Sequence, residues 1–126
     1  MGFFRKKEAK PPGPDYSHVD TREKAERLVE RGKLVALLLL PEQFGGDWRA
    51  ENIVFVPPFA ADLKTRVDEN IIIPLAIEGK VTRYRAEPEH AGRSMVPIAV
   101  KLVASDPADF TYNMAIWGDA LGRESP

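Results

Sequence analysis

The stretch MVPIAVKLVASDPADFTYNMAIW, residues 95–117, decides the fold class. Apolar side chains recur at every second position in two runs, 95–104 and 110–117, and this period is typical of half-buried β-strands. The Asp and Pro residues in segment 105–109 favour a turn between the runs. With a third strand pattern at 80–87, the two runs predict an antiparallel meander.

Two more strands are predicted upstream of the meander. The segment 34–40 is apolar on both faces, which predicts a central strand covered on both sides. Pro41 ends this strand, and a second strand runs up to Val56. Before them, segment 21–31 has apolar residues at helical spacing and is followed by Gly32, so we expect a short amphipathic helix there.

A second helix is predicted from Pro58, because proline is favoured in the first turn of a helix. Its apolar stripe repeats at every fourth residue: Phe59, Leu63, Val67 and Ile71. Pro74 removes a backbone donor, so we expect a helix to about residue 70 and then a kinked continuation that ends at Gly79. The alternative is a strand over residues 71–77.

These elements predict an α+β fold with a five-stranded, mostly antiparallel sheet and two helices packed on one face. We expect a single domain over residues 19–118. Residues 1–18 carry basic side chains and a run rich in proline, which predicts a disordered basic tail. Residues 119–126 have no apolar pattern, and we expect them to fray.

Composition limits the chemistry that this chain of 126 residues can perform. It has no cysteine and two histidines, which excludes disulfides and thiolate sites, and we expect no metal, no cofactor and no catalytic residues. A net charge of −1 argues against nucleic-acid binding. The longest apolar run has seven residues, whereas a membrane span needs about 20. Without a signal-peptide pattern, we expect a cytoplasmic location.

Two sets of residues are candidates for binding a partner protein. The loop 41–52 is long and carries Phe44 and Trp48, and long loops with aromatic residues are often functional. Packing of these aromatic residues over the sheet edge is the alternative. The predicted strands also place Arg83, Arg85 and Lys101 on one face: these side chains would form a basic stripe for an acidic partner. Solvation of the sheet face is the competing interpretation of that stripe.

The leading hypothesis is therefore a non-enzymatic protein-binding module, of which an immunity protein that neutralises its partner is one form. The runner-up is a small-ligand binder or enzyme that uses a cleft between helix 58–78 and the sheet, with Asp62, Arg83, Tyr84 and Arg85 as candidates. Contact of the tail 1–18 with a membrane surface is a less favoured third possibility.

Three short stretches carry a resemblance to a known group of proteins. They are LLLPEQFGG at residues 38–46, ENIVFVPP at 51–58 and GRSMVP at 92–97. They resemble small uncharacterised bacterial proteins with LPxxFGG and ENxVxVPP stretches, over about residues 21–118. The resemblance implies a single small domain and no particular activity.

Overall fold

A computed structural model describes residues 14–123 of the chain. Most of the predicted tail, residues 1–13, and the end of the predicted C-terminal fray, residues 124–126, lie outside this description. The first helix, α1, spans Arg22–Glu30, as predicted to within one residue. Its N-cap is Thr21, whose hydroxyl accepts a hydrogen bond from the Lys24 amide at 3.1 Å.

The five strands form two separate antiparallel sheets. Strand β1 (Val35–Leu38) pairs with β2 (Ile53–Val56). Strands β3 (Val81–Glu89), β4 (Ala99–Pro107) and β5 (Asp109–Ala115) form the predicted meander.

The α+β class and the meander are confirmed, but the prediction of one five-stranded sheet was wrong. The two-stranded sheet also makes β1 an edge strand, whereas the sequence predicted a central one. All four residues of β1 are half-buried, and the buried leucines, Leu34 and Leu39, lie just outside it. A run that is apolar on both faces shows that a strand is largely covered, but not which strands lie beside it.

One continuous helical stretch follows β2. It contains α2 (Pro58–Val67), a π-helical segment (Asp68–Ile72) and α3 (Ile73–Ile77). The predicted continuation through Pro74 is confirmed, and Gly79 lies just after it with a φ of +76°.

The predicted apolar stripe of this helix was wrong in part. Phe59 is 50% exposed and Ile71 is 38% exposed. The buried face instead includes Ala60, Lys64 and Ile72, because the interior accepts a lysine that is paired with a carboxylate and the π-helical segment changes the helical phase.

The core lies between the inner face of the meander and the remaining elements. Val100, Leu102, Ala104 and Met114 are completely buried on that inner face, and the predicted alternation of β4 is confirmed. The Lys64 ammonium lies 5.5 Å from the centre of the Tyr84 ring, so α2 packs on the same face.

Strand β4 begins four residues later than predicted because the start of the predicted strand bonds outside the sheet. The Met95 amide donates to the Val19 carbonyl at 2.7 Å. At the other end, Gly118–Gly122 forms a 3-10 helix in the region predicted to fray, and Ala120 there is buried. No helix within residues 14–123 has the length and apolar character of a membrane span.

Candidate functional site

The loop between β1 and β2 is held in shape by Asn52. Its side-chain oxygen accepts a hydrogen bond from the Leu40 amide at 2.9 Å, and its amide group donates to the carbonyls of Leu40 and Asp47, each at 3.0 Å. Gly46 packs against the same backbone, because a Cβ at that position would lie 1.7 Å from the Leu40 oxygen. Gly46 of the LPxxFGG stretch and Asn52 of the ENxVxVPP stretch therefore stabilise the conformation of the loop.

The two aromatic residues predicted for binding in this loop have different surroundings. Phe44 is half-buried and packs edge-on against Tyr84, with ring centres 5.2 Å apart. Trp48 is 58% exposed. Phe44 thus anchors the loop to the meander, and Trp48 remains accessible to a partner.

Trp48 borders a cavity of about 230 Å³, which we call the groove. One wall consists of residues 36–38 of β1, and loop residues 41–43 close one end. The opposite wall belongs to the helical stretch and contains Thr65, Asp68, Glu69 and Ile73. The runner-up hypothesis placed a cleft between helix 58–78 and the sheet; the groove lies between this helical stretch and β1 of the two-stranded sheet.

Strand β1 presents unpaired backbone groups to the open side of its sheet. The Leu39 amide donates to the Asn52 carbonyl at 2.8 Å, which fixes the residues that bond to β2. Because the ladder alternates in an antiparallel pair, Ala36 and Leu38 point their N–H and C=O groups away from β2. Among residues 14–123, no other hydrogen bond reaches these two residues, and both line the groove.

The groove has an acidic lining. Glu42, Asp68 and Glu69 contribute carboxylates, and no Lys or Arg is among the described residues that line it. The nearest arginine in sequence to Trp48 is Arg49, which forms an ion pair with Asp47 at 3.0 Å. The groove therefore attracts positive charge and repels anions.

A buried polar network lies behind the helical wall. The Lys64 ammonium donates to Asp68 at 2.6 Å, and the Tyr84 hydroxyl donates to the other Asp68 oxygen at 2.5 Å. Lys64 is 1% exposed and Asp68 is 6% exposed. Burial lowers the pKa of Lys64, although the Asp68 carboxylate opposes this shift. Burial and the bond to Asp68 raise the pKa of Tyr84.

The predicted basic stripe lies on a different surface from the loop. Tyr84 is on the inner face of β3, so the alternating residues Arg83 and Arg85 are on the outer face. Both are exposed; Arg83 lies 3.6 Å from Asp106, and Arg85 forms an ion pair with Glu87. In the β3–β4 register Lys101 is opposite Glu87. The outer face consequently has mixed charge.

The candidates of the runner-up hypothesis are also divided. Asp62 is exposed on α2, Tyr84 is on the inner face of the meander, and the two arginines are on the outer face. In the turn before β4, Ser94 is buried and bonds to the Tyr16 carbonyl at 2.7 Å, so it has a structural role. Within the described range, no group of His, Asp and Glu is arranged to hold a metal ion.

The sequence prediction did not include Glu42, Lys64, Asp68 or Glu69. One signal was present: Lys64 and Asp68 have the i, i+4 spacing of a helical ion pair. The same spacing occurs in exposed pairs such as Arg22 with Glu26, so spacing alone does not reveal burial.

No protein-family profile, curated protein or solved structure matches this chain. The resemblance to uncharacterised bacterial proteins therefore stays a prediction.

Proposed function

We propose that this protein is a binding module that holds a partner protein in the groove, and that an immunity-like neutralisation of the partner is one form of this role. The observation that carries the proposal is the open edge of β1, which is apolar and lies beside the exposed Trp48. Tryptophan is enriched at the centres of protein interfaces, where it buries a large area with few rotatable bonds.

The contacts of Asp68, the buried carboxylate of the groove, favour binding over bond-breaking chemistry at that residue. A catalytic group needs a free hydrogen-bonding position that faces the substrate. Both Asp68 oxygens are already engaged, one by Lys64 and the other by Tyr84, and neither of those partners lines the groove. The network thus supports the wall, and the groove contributes shape and charge.

The size of the groove also bears on its occupant. Pockets for drug-sized molecules usually measure roughly 300–1,000 Å³. At about 230 Å³, the groove is smaller, so it suits a segment of a larger partner that enters it only in part. A small cationic ligand is the second candidate, and the acidic lining favours it.

Affinity capture with purified, tagged chain tests the proposal when it is combined with variants of both candidate surfaces. The captured protein is purified, and its affinity is measured against Trp48→Ala in the groove and against Arg85→Ala on the outer face. We expect Trp48→Ala to weaken binding about 30-fold, which corresponds to a typical hot-spot loss of about 2 kcal/mol. Arg85→Ala should bind like the native chain.

Two results would contradict the proposal. Equal affinity of the native chain and Trp48→Ala would show that the groove is not the interface. Loss of binding in Arg85→Ala alone would show that the partner binds the outer face of the meander. For the immunity-like form, the partner's own activity must also fall when the complex forms.

A further inference from the structure

We infer that the groove receives an extended, positively charged segment of the partner, which pairs with β1 as an added strand. This inference rests on the proposed function and specifies the kind of partner that the site takes. Strand addition is a common mode of peptide recognition, in which main-chain hydrogen bonds provide affinity and side-chain pockets provide specificity.

The first argument is the state of the β1 edge. An apolar strand edge with unpaired backbone groups tends to associate with other chains, and proteins usually protect such edges with Lys, Pro or a covering element. Strand β1 has the sequence VALL and carries none of these residues. The other strand of the sheet is protected, because Val54, Phe55 and Val56 are buried. The half-buried edge of β1 thus lacks protecting side chains, and the groove lies between it and the helical stretch.

The second argument is that the free groups have the spacing of a strand ladder. Ala36 and Leu38 each offer one N–H and one C=O toward the groove, and they are two residues apart. Residues at this spacing on one edge lie about 7 Å apart and pair with alternate residues of an added strand. A small ligand does not match this repeated pattern of donors and acceptors.

The third argument is charge. Asp68 is neutralised by Lys64, but among residues 14–123 no ion pair involves Glu42 or Glu69, and both are exposed at the groove. An extended segment that carries Lys or Arg can place its cation between these carboxylates. The exposed ring of Trp48 can cover the aliphatic part of the same side chain or interact with its charge.

Linear peptides selected from a phage-displayed library against the full chain provide the probe. The selected sequences should be extended and apolar, with at least one Lys or Arg. The best peptide is then synthesised with single backbone N-methyl groups at successive positions. Methylation at alternate positions should weaken binding about tenfold or more, and methylation between them should leave it nearly unchanged, because only every second amide of an added strand faces β1.

Two variants of the protein test the proposed strand pairing independently of the changes in the peptide. Ala36→Pro removes a donor that points into the groove but does not take part in the ladder with β2, a place where an edge strand tolerates proline. This variant should bind the peptide with about tenfold lower affinity, and the protein should still unfold cooperatively on heating. Glu69→Lys reverses an exposed charge of the groove and should lower the affinity for the peptide by a similar factor. The loss of affinity should be smaller at high salt, which screens the charges.

Several outcomes would overturn this inference. Equal binding of all N-methylated peptides would exclude strand addition. Equal affinity for arginine amide and for the peptide would assign the groove to small cations. Self-association of the native chain that Ala36→Pro abolishes would make a second copy the occupant. If the captured partner depends on Trp48 but binds Ala36→Pro normally, the proposed function stands and the strand-addition mode fails.

Discussion

Removal of the charge on Asp68 should lower the free energy of unfolding of this domain by a large fraction. Asp68→Asn keeps an oxygen for the Tyr84 hydroxyl but leaves the Lys64 ammonium without its carboxylate, at a position that is 1% exposed. Loss of one partner of a buried ion pair typically costs about 3–5 kcal/mol. Small domains have a total stability of roughly 5–15 kcal/mol, so the variant should remain folded but lose a substantial part of it.

A double-mutant cycle separates the pair from its surroundings. Lys64→Met should cost a similar amount, because it leaves the Asp68 carboxylate buried with the Tyr84 hydroxyl alone. The double variant Lys64→Met, Asp68→Asn contains no buried charge and should lie within about 2 kcal/mol of the native chain. The coupling energy between the two positions should therefore be about 3 kcal/mol or more.

Urea denaturation at pH 7 measures these differences: if the dependence of the unfolding free energy on urea concentration is unchanged, the shift of the urea midpoint gives the change in stability. The matched control is Glu26→Gln, which breaks an exposed i, i+4 pair with Arg22 at 3.0 Å and should leave the midpoint nearly unchanged. In Asp68→Asn the free energy of unfolding should also rise as the pH approaches the ordinary pKa of lysine. The unfolded chain then holds more protons than the folded one, in which burial lowers the Lys64 pKa.

A coupling energy below about 1 kcal/mol, the range of exposed pairs, would refute this reasoning. It would mean that water reaches Lys64 and Asp68 in solution. The helical wall of the groove would then be more open than the described contacts indicate.

Three further predictions concern residues around the same core. Tyr84→Phe should reduce the decline in stability above about pH 10, by at most about 1.4 kcal/mol per pH unit, because the folded state holds the Tyr84 phenolic proton longer than the unfolded chain. Denaturation of both chains between pH 9 and 11 checks this slope. Gly46→Ala should destabilise the chain by about 3 kcal/mol or more because its Cβ meets the Leu40 oxygen, whereas Gly122→Ala has open space and should be neutral in the same melt. Ser94→Ala leaves the Val96 amide without the serine oxygen and should cost about 1–3 kcal/mol by urea denaturation.

Most local structure could be predicted from the sequence because it depends on near neighbours. The two-residue alternation of β4 and β5 and the proline at the start of α2 report directly on backbone conformation. The order of helices and strands follows from such signals. The division into two sheets does not, because strand pairing depends on contacts between distant segments, and the apolar run at 34–40 is compatible with a central strand or with one side of a hairpin.

The candidate site was predictable only in part. The length and aromatic content of the loop 41–52 indicated Trp48 as a binding residue, and the structure places Trp48 beside the groove. The acidic wall was missed because Asp68 and Glu69 resemble ordinary solvated residues of an amphipathic helix. Their arrangement depends on the π-helical segment and on the burial of Lys64, and periodicity reveals neither of these.

Three features that each lower stability or solubility meet at the groove. A π-helical segment is rare and occurs often at functional sites, a buried ion pair is often less stable than an apolar replacement, and an apolar strand edge promotes association. Asp68 joins the first two features and lines the groove that the third one borders. Proteins depart from local rules mainly where function requires it. The concentration of these departures at one place therefore supports the proposal that binding occurs at the groove instead of the outer face of the meander.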